Sequence, residues 1–226
     1  MIKTNLKKVV SAIMTLSLLP YSAVYALAAR GNGEVVTLDP SNALTFNNGE
    51  FEGWGTSLCW WANRVGYDET LTNKAAELFY SDNGLSLDIA RYNVGGGDDP
   101  SHDHITRSDS KIPGYAIGYD ENGNIIYDWT ADSNQRNVAL AAQRTNPDIY
   151  FEGFSNSPPY FMTNSGCSSG AISASYDNLR STEYDNFAEY IATVTEHFKN
   201  EFGIEFKSYL PMNEPYTNYW GKYSYK

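Results

Sequence analysis

Four short apolar or aromatic runs, Phe51 to Leu58, Leu85 to Val94, Ile149 to Phe154 and Phe206 to Met212, are each bounded by Gly, Asn or Pro. Runs of this length suit buried strands better than helices. Between them the apolar period lengthens to that of a helix: Leu71, Ala75, Leu78 and Phe79, then Val138, Ala141 and Ala142, then Phe187, Tyr190, Ile191, Val194 and Phe198. The third pattern is the clearest amphipathic helix, and Gly203 follows it where a helix C-terminus calls for a left-handed residue. Strands that alternate with helices in this way are parallel and joined by right-handed crossovers. The chain is therefore expected to be α/β.

The unit starts, near residues 51, 87, 149 and 206, lie about 52 residues apart, so a closed barrel of eight such units would take on the order of 400 residues. The 226 residues present hold about half of that. A doubly wound nucleotide-binding sheet fits the length, but its Gly-rich phosphate turn leads straight into a helix. Here Gly95-Gly96-Gly97 ends a strand and is followed by the polar and aromatic stretch Asp98 to Thr130, so it is no phosphate cradle. That stretch is too long for an ordinary connection and carries its own hairpin signal at Tyr119 to Tyr127. Asp98, Asp99, His102, Asp103 and His104 are metal-ligand types, yet their spacing matches neither a zinc nor an EF-hand pattern. Polar loop side chains are the commoner explanation, and Asp120 to Asn124 reads as a turn. No metal site and no cofactor are expected.

At the start of the chain Lys3, Lys7 and Lys8 precede the apolar stretch Val9 to Leu19, and Ala26-Leu27-Ala28 supplies a small-x-small cleavage pattern. Residues 1–29 thus read as a secretory signal peptide, with the apolar run too short to span a bilayer. The expectation is an exported, extracellular protein with no membrane association after cleavage. With 16 Lys and Arg against 27 Asp and Glu, the formal charge is −11, and losing three lysines with the leader makes it more acidic still. Nucleic acid is a poor partner for such a surface. Two cysteines, Cys59 and Cys167, are too few for a disulfide scaffold. Export permits a bridge between them, and two separate thiols fit equally well.

In a parallel α/β protein the pocket lies past the C-terminal ends of the strands. Those positions hold Gly53-Trp54-Gly55 with Cys59-Trp60-Trp61-Ala62, then Arg91-Tyr92-Asn93 with the three glycines, then Ser155-Asn156-Ser157-Pro158-Pro159-Tyr160, and finally Met212-Asn213-Glu214-Pro215. Any one of Trp54, Trp60, Trp61 and Tyr160 alone would be read as core. Together with Asn93, Asn156 and Asn213 they suit a carbohydrate cleft, where flat rings stack on sugar faces and amides bond hydroxyls. Glu214 is expected at a pocket floor, where desolvation favours the protonated form that a general acid needs. A surface turn is the bland reading of a lone Asn-Glu-Pro.

These four motifs, in this order and over nearly the whole mature chain, resemble glycoside hydrolase family 30, most closely its endo-β-1,6-galactanase-like members. The resemblance implies a (β/α)8 TIM barrel of which residues 30–226 are the N-terminal half, about four βα units. It also implies a side β-sandwich to which Glu34 to Leu38 contribute a strand. It assigns the catalytic acid/base to Glu214, contact with the sugar 2-hydroxyl to Asn213, orientation of the nucleophile to Arg91, and subsite walls to Trp54 and Tyr160. Retaining hydrolysis needs a second carboxylate about 5 to 5.5 Å from the first. In the family it lies on the seventh strand, for which this sequence has no counterpart. The expectation is a truncated, inactive fragment of a secreted endo-glycosidase whose polysaccharide partner is a β-1,6-linked galactan. Competing readings are a β-1,6-glucanase or xylan-directed member, a non-catalytic carbohydrate-binding pseudoenzyme, and a half-barrel that pairs with another chain.

Overall fold

The computed structural model describes Thr37, Asp39, Ser41 and residues 49–101, 104–105, 107–218 and 220–221. The signal peptide expected at residues 1–29, most of the strand expected at Glu34 to Leu38, and His102 and Asp103 lie outside the described residues. The chain divides into two compact units, residues 1–51 and 52–226. Within the first, the Ser41 hydroxyl and amide both donate to the Asp39 carboxylate, at 2.7 and 2.9 Å.

The second unit is mixed α/β around a parallel sheet. Its strands are β1 (Gly55–Ser57), β2 (Ile89–Asn93), β5 (Tyr150–Phe154) and β6 (Phe206–Leu210), lying side by side in that order. The crossovers carry α1 (Trp61–Val65) and α2 (Glu69–Tyr80), then α3 (Ser133–Thr145), then α4 (Tyr184–Phe202). An antiparallel hairpin of β3 (Ala116–Tyr119) and β4 (Ile125–Tyr127) stands between β2 and α3. Its turn is held by Asp120, whose carboxylate accepts from the Asn122 and Asn124 amides at 2.8 Å, so this segment is a side-chain-closed turn.

Alternation along each strand sorts the sheet into two faces. Ala90, Tyr92, Phe151 and Phe206 point into one buried cluster with Val138, Ala139 and Ala142 of α3 and Tyr190, Val194 and Phe198 of α4. Tyr92 meets the Phe198 ring edge-on with centroids 4.9 Å apart. Losing so buried a ring costs about 3–5 kcal/mol. The opposite face carries a polar row in direct register: Ser57 beside Arg91, Arg91 beside Glu152, Glu152 beside Ser208.

The helices end where the sequence signals that they should. Asp68 caps α2 by accepting from the Leu71 amide at 2.9 Å, and Gly203 closes α4 at φ 66°. Two expectations are corrected. The first strand is only Gly55–Ser57, much shorter than Phe51 to Leu58. The buried stripe of α2 is Thr72, Ala76 and Tyr80, while Leu71 and Leu78 are 45% and 51% exposed. The helix is rotated by one position, because Thr72 and Ala76 allow close approach and the Tyr80 ring fills the core in place of leucine.

Candidate active site

The polar row of the sheet leads directly to the strand-end residues. Arg91, on β2, donates from Nε to Glu152 Oε1 at 2.5 Å and from Nη2 to Asn213 Oδ1 at 3.2 Å, with its guanidinium 3.7 Å above the Phe154 ring. The two donors of one planar fork thus tie β2 to β5 and to the loop that follows β6. On the far side the Ser208 hydroxyl reaches Glu152 Oε2 at 3.4 Å. Asn213 is fixed from its backbone as well, its amide donating to the Ser155 carbonyl at 2.9 Å. Ser155 in turn takes the Leu210 carbonyl through its amide, and its hydroxyl lies 2.9 Å from the Tyr209 hydroxyl.

Asn93 is buried and held by a side chain that replaces a strand neighbour. The Gln135 amide accepts from Asn93 N at 3.0 Å and donates to Asn93 O at 2.9 Å. The Asn93 side-chain oxygen, left for the site, accepts from the Asn156 amide at 3.3 Å. Beneath them Asp132, in the left-handed region at φ 50°, turns its carboxylate into the core, where Oδ2 accepts from Tyr92 and Gln135 at 2.6 and 2.7 Å. Complete burial raises the Asp132 carboxyl to about 7, against the pull of those two donors and of Arg136. Burial, reinforced by the Asp132 charge, likewise pushes the Cys59 thiol up to about 12, so it stays protonated and is no nucleophile near neutral pH.

Asn156 and Asn213 share a cavity of about 780 Å³ that Tyr209, Ile191 and Trp220 also line. Trp60, Asn93 and Asn156 line a smaller one, again with Trp220. The Trp60 indole nitrogen is buried without a hydrogen-bond partner there, and the Arg107 guanidinium lies 4.7 Å from its ring. Tyr160 opens a short 3₁₀ turn, donates its amide to Gly96 O at 3.0 Å, and faces a third cavity beside Gly97 and Asp98. Cys59 and Cys167 are not joined by a disulfide.

Glu214 follows Asn213 with a backbone in the left-handed region at φ 47°. A non-glycine residue held there is strained by about 1–2 kcal/mol, and such strain gathers at functional sites. Its carbonyl accepts from the Thr217 hydroxyl at 2.8 Å and from the Trp220 indole at 3.1 Å, which keeps the turn in place. The side chain is exposed, not set at a pocket floor as the sequence implies.

The structure brings together Trp60, Arg91, Asn93, Asn156 and Asn213, with Tyr160 alongside and Glu214 next in the chain. It sets two others apart. Trp54 precedes β1 and is 71% exposed, and its carbonyl receives the Asp88 and Ile89 amides, so it stands at the N-terminal edge of the sheet. Trp61 faces the interior, its indole donating to Ser57 O at 2.8 Å and its ring 4.9 Å from Phe79. Glu152, Gln135 and Trp220 were not singled out by sequence. For Glu152 a signal existed, a lone carboxylate inside an apolar run.

A family model described as O-Glycosyl hydrolase family 30 matches residues 42–226. The endo-beta-1,6-galactanase of Hypocrea rufa is 33% identical over an alignment of 222 positions that covers 89% of this chain and 44% of that protein. The exo-beta-1,6-galactobiohydrolase of Bifidobacterium longum subsp. longum is 30% identical over an alignment of 252 positions that covers 88% of this chain and 16% of that one. A conserved exported protein from Bacteroides fragilis shares the fold, with a TM-score of 0.66 at 24% identity over 77% of this chain and 37% of its own. The chain spans less than half the length of these relatives. No helix among the described residues is long and apolar enough to cross a membrane.

Proposed function

Because the chain belongs to O-glycosyl hydrolase family 30, we propose that it is the N-terminal part of a secreted, retaining endo-glycosidase that hydrolyses β-1,6-linked galactan. In this reading residues 1–29 direct export, and β1, β2, β5 and β6 are the first four strands of a (β/α)8 barrel. The observation that carries it is the clamp at the end of β6: Arg91 fixes Asn213, and Asn213 precedes a strained Glu214. The galactan specificity is supported by the names of the two curated relatives.

Glu214 acts as general acid, giving its proton to the glycosidic oxygen as the bond to the anomeric carbon breaks, while a second carboxylate bonds to that carbon. In the second step Glu214 takes a proton from water, whose oxygen displaces the carboxylate with net retention. Asn213 bonds the 2-hydroxyl of the sugar, Asn93, Asn156, Trp60 and Tyr160 line the subsites, and Arg91 holds the carboxylate surroundings in place. The second carboxylate and the remaining barrel walls, which would desolvate Glu214, are supplied by sequence beyond these four units. The intact mass of the native protein, measured against 25.2 kDa for these 226 residues, tests that extension.

The deciding experiment is Glu214→Gln in the full-length protein. Hydrolysis of β-1,6-galactan should fall by about 10²- to 10⁴-fold, with a much smaller loss on an aryl galactoside whose leaving group needs no proton. Equal losses on both substrates would refute the acid role. Undiminished galactan binding with no hydrolysis even by the unaltered enzyme would identify a binding pseudoenzyme. Preference for β-1,6-glucan or glucuronoxylan would move the substrate while leaving the chemistry.

A further inference from the structure

The spacing of the ligand-type residues after β2 predicts no metal site, yet the fold brings them a donor from elsewhere. Asp98, His104 and Cys167 each present one ligand atom, and the three atoms lie within 4.8 Å of one another. Cys167 comes from the loop between β5 and α4, far along the chain from the other two. His104 is 7% exposed, Cys167 is fully buried, and Asp98 is mostly covered. His104 Nδ1 is 3.1 Å from Asp98 Oδ1, and the His104 amide donates to Asp98 Oδ2 at 3.2 Å. The Cys167 amide donates to the Thr163 hydroxyl at 3.0 Å, and its thiol lies 2.8 Å from the Ser169 hydroxyl, a contact that an ion would replace. Nearby the Ser168 hydroxyl donates to Gly97 O, which binds the two loops together.

We propose that Asp98, His104 and Cys167 form a binding site for a soft divalent cation of the zinc type, tying the loop after β2 to the loop after β5. The donor set decides the class of ion. A sulfur and an imidazole nitrogen beside one carboxylate suit Zn²⁺, whereas Ca²⁺ and Mg²⁺ take oxygens. Bonds of about 2.0–2.3 Å in a tetrahedron put neighbouring donors about 3.3–3.8 Å apart; His104 Nδ1 and Asp98 Oδ1, at 3.1 Å, stand near that spacing already, and the widest pair, within 4.8 Å, closes by up to roughly 1 Å. Binding displaces the thiol proton to solvent, leaving a thiolate, a neutral imidazole and a carboxylate around the ion, with a fourth position open. The site adjoins the cleft through Gly97, the residue before Asp98: a Cβ there would lie 3.2 Å from Gly114 N and 3.9 Å from the Tyr160 ring. The inference does not depend on the hydrolase reading, since both loops belong to the observed fold.

The full chain, stripped with a chelator and titrated with Co²⁺, should develop a near-ultraviolet thiolate-to-cobalt charge-transfer band at one ion per chain. The band should vanish in Cys167→Ser and persist in Cys59→Ser. In the unaltered protein Zn²⁺ should raise the thermal midpoint by several degrees and Mg²⁺ should not, a measurement that needs no variant. Absence of the band, its survival in Cys167→Ser, or a midpoint indifferent to Zn²⁺ would overturn the proposal.

Discussion

Arg91 and Glu152 face each other at the same register on adjacent parallel strands, 2.5 Å apart between Nε and Oε1. The carboxylate holds one edge of the guanidinium, and the other edge is thereby aimed at Asn213. Glu152 is a positioning residue: it reaches the site through Arg91. In the full-length enzyme, Glu152→Ala is expected to lower kcat about 10- to 100-fold with KM little changed, because misalignment costs rate before it costs binding. Glu152→Gln, which keeps one acceptor oxygen, should recover part of the loss. Steady-state kinetics on β-1,6-galactan reads both, and a pure KM effect would assign Glu152 to substrate binding instead.

Asp132 makes stability depend on pH in an unusual direction. The folded carboxyl holds its proton up to about pH 7, whereas the unfolded one releases it near 3.8. Between those values the folded state binds more protons, so stability falls as pH rises, by roughly 4 kcal/mol in all. Asp132→Asn removes the titration and tolerates the left-handed backbone. Denaturant unfolding of the two proteins should show the variant equal near pH 4 and more stable at pH 8. The comparison cancels the other carboxylates.

The Tyr190 hydroxyl, fully buried on α4, donates to Gly95 O at 2.8 Å and accepts from Tyr115 N at 3.2 Å. Tyr190→Phe keeps the ring and orphans two backbone groups, at about 1–3 kcal/mol each. A drop of that size in unfolding free energy is expected.

Gly96 is glycine for want of room. A Cβ there would lie 2.3 Å from Pro158 O, a backbone atom that cannot swing away. Gly96→Ala should force the loops after β2 and β5 apart and destabilise the protein by about 1–3 kcal/mol. Activity should suffer more than stability, since Asn93 ends β2 just before the first of those loops and Asn156 lies on the second.

The sequence patterns located all four parallel strands, the helix that Gly203 ends, and the edge where Asn93, Asn156 and Asn213 meet, since each of these follows from local period or from strand polarity. Trp54 lies before β1 and not past its end, because an aromatic run hides where hydrogen bonding begins, and a shift of a few residues moves a side chain to the opposite edge of a parallel sheet. Leu71 and Leu78 fall outside the core because period reports a stripe without its rotation. Gln135, Asp132 and Cys167 owe their roles to partners far away in sequence. No local pattern encodes such a partner.

Spatial order in the sheet repeats the order of synthesis, β1, β2, β5 and β6. Each new strand therefore has its template already made, waiting at the most recent edge, and no strand must be threaded between two earlier ones. Assembly can run vectorially from the first unit onward, with each helix laid down as its crossover closes. One edge of the sheet stays with β1 while the other always belongs to the newest strand, so the growing edge travels along the chain as it lengthens.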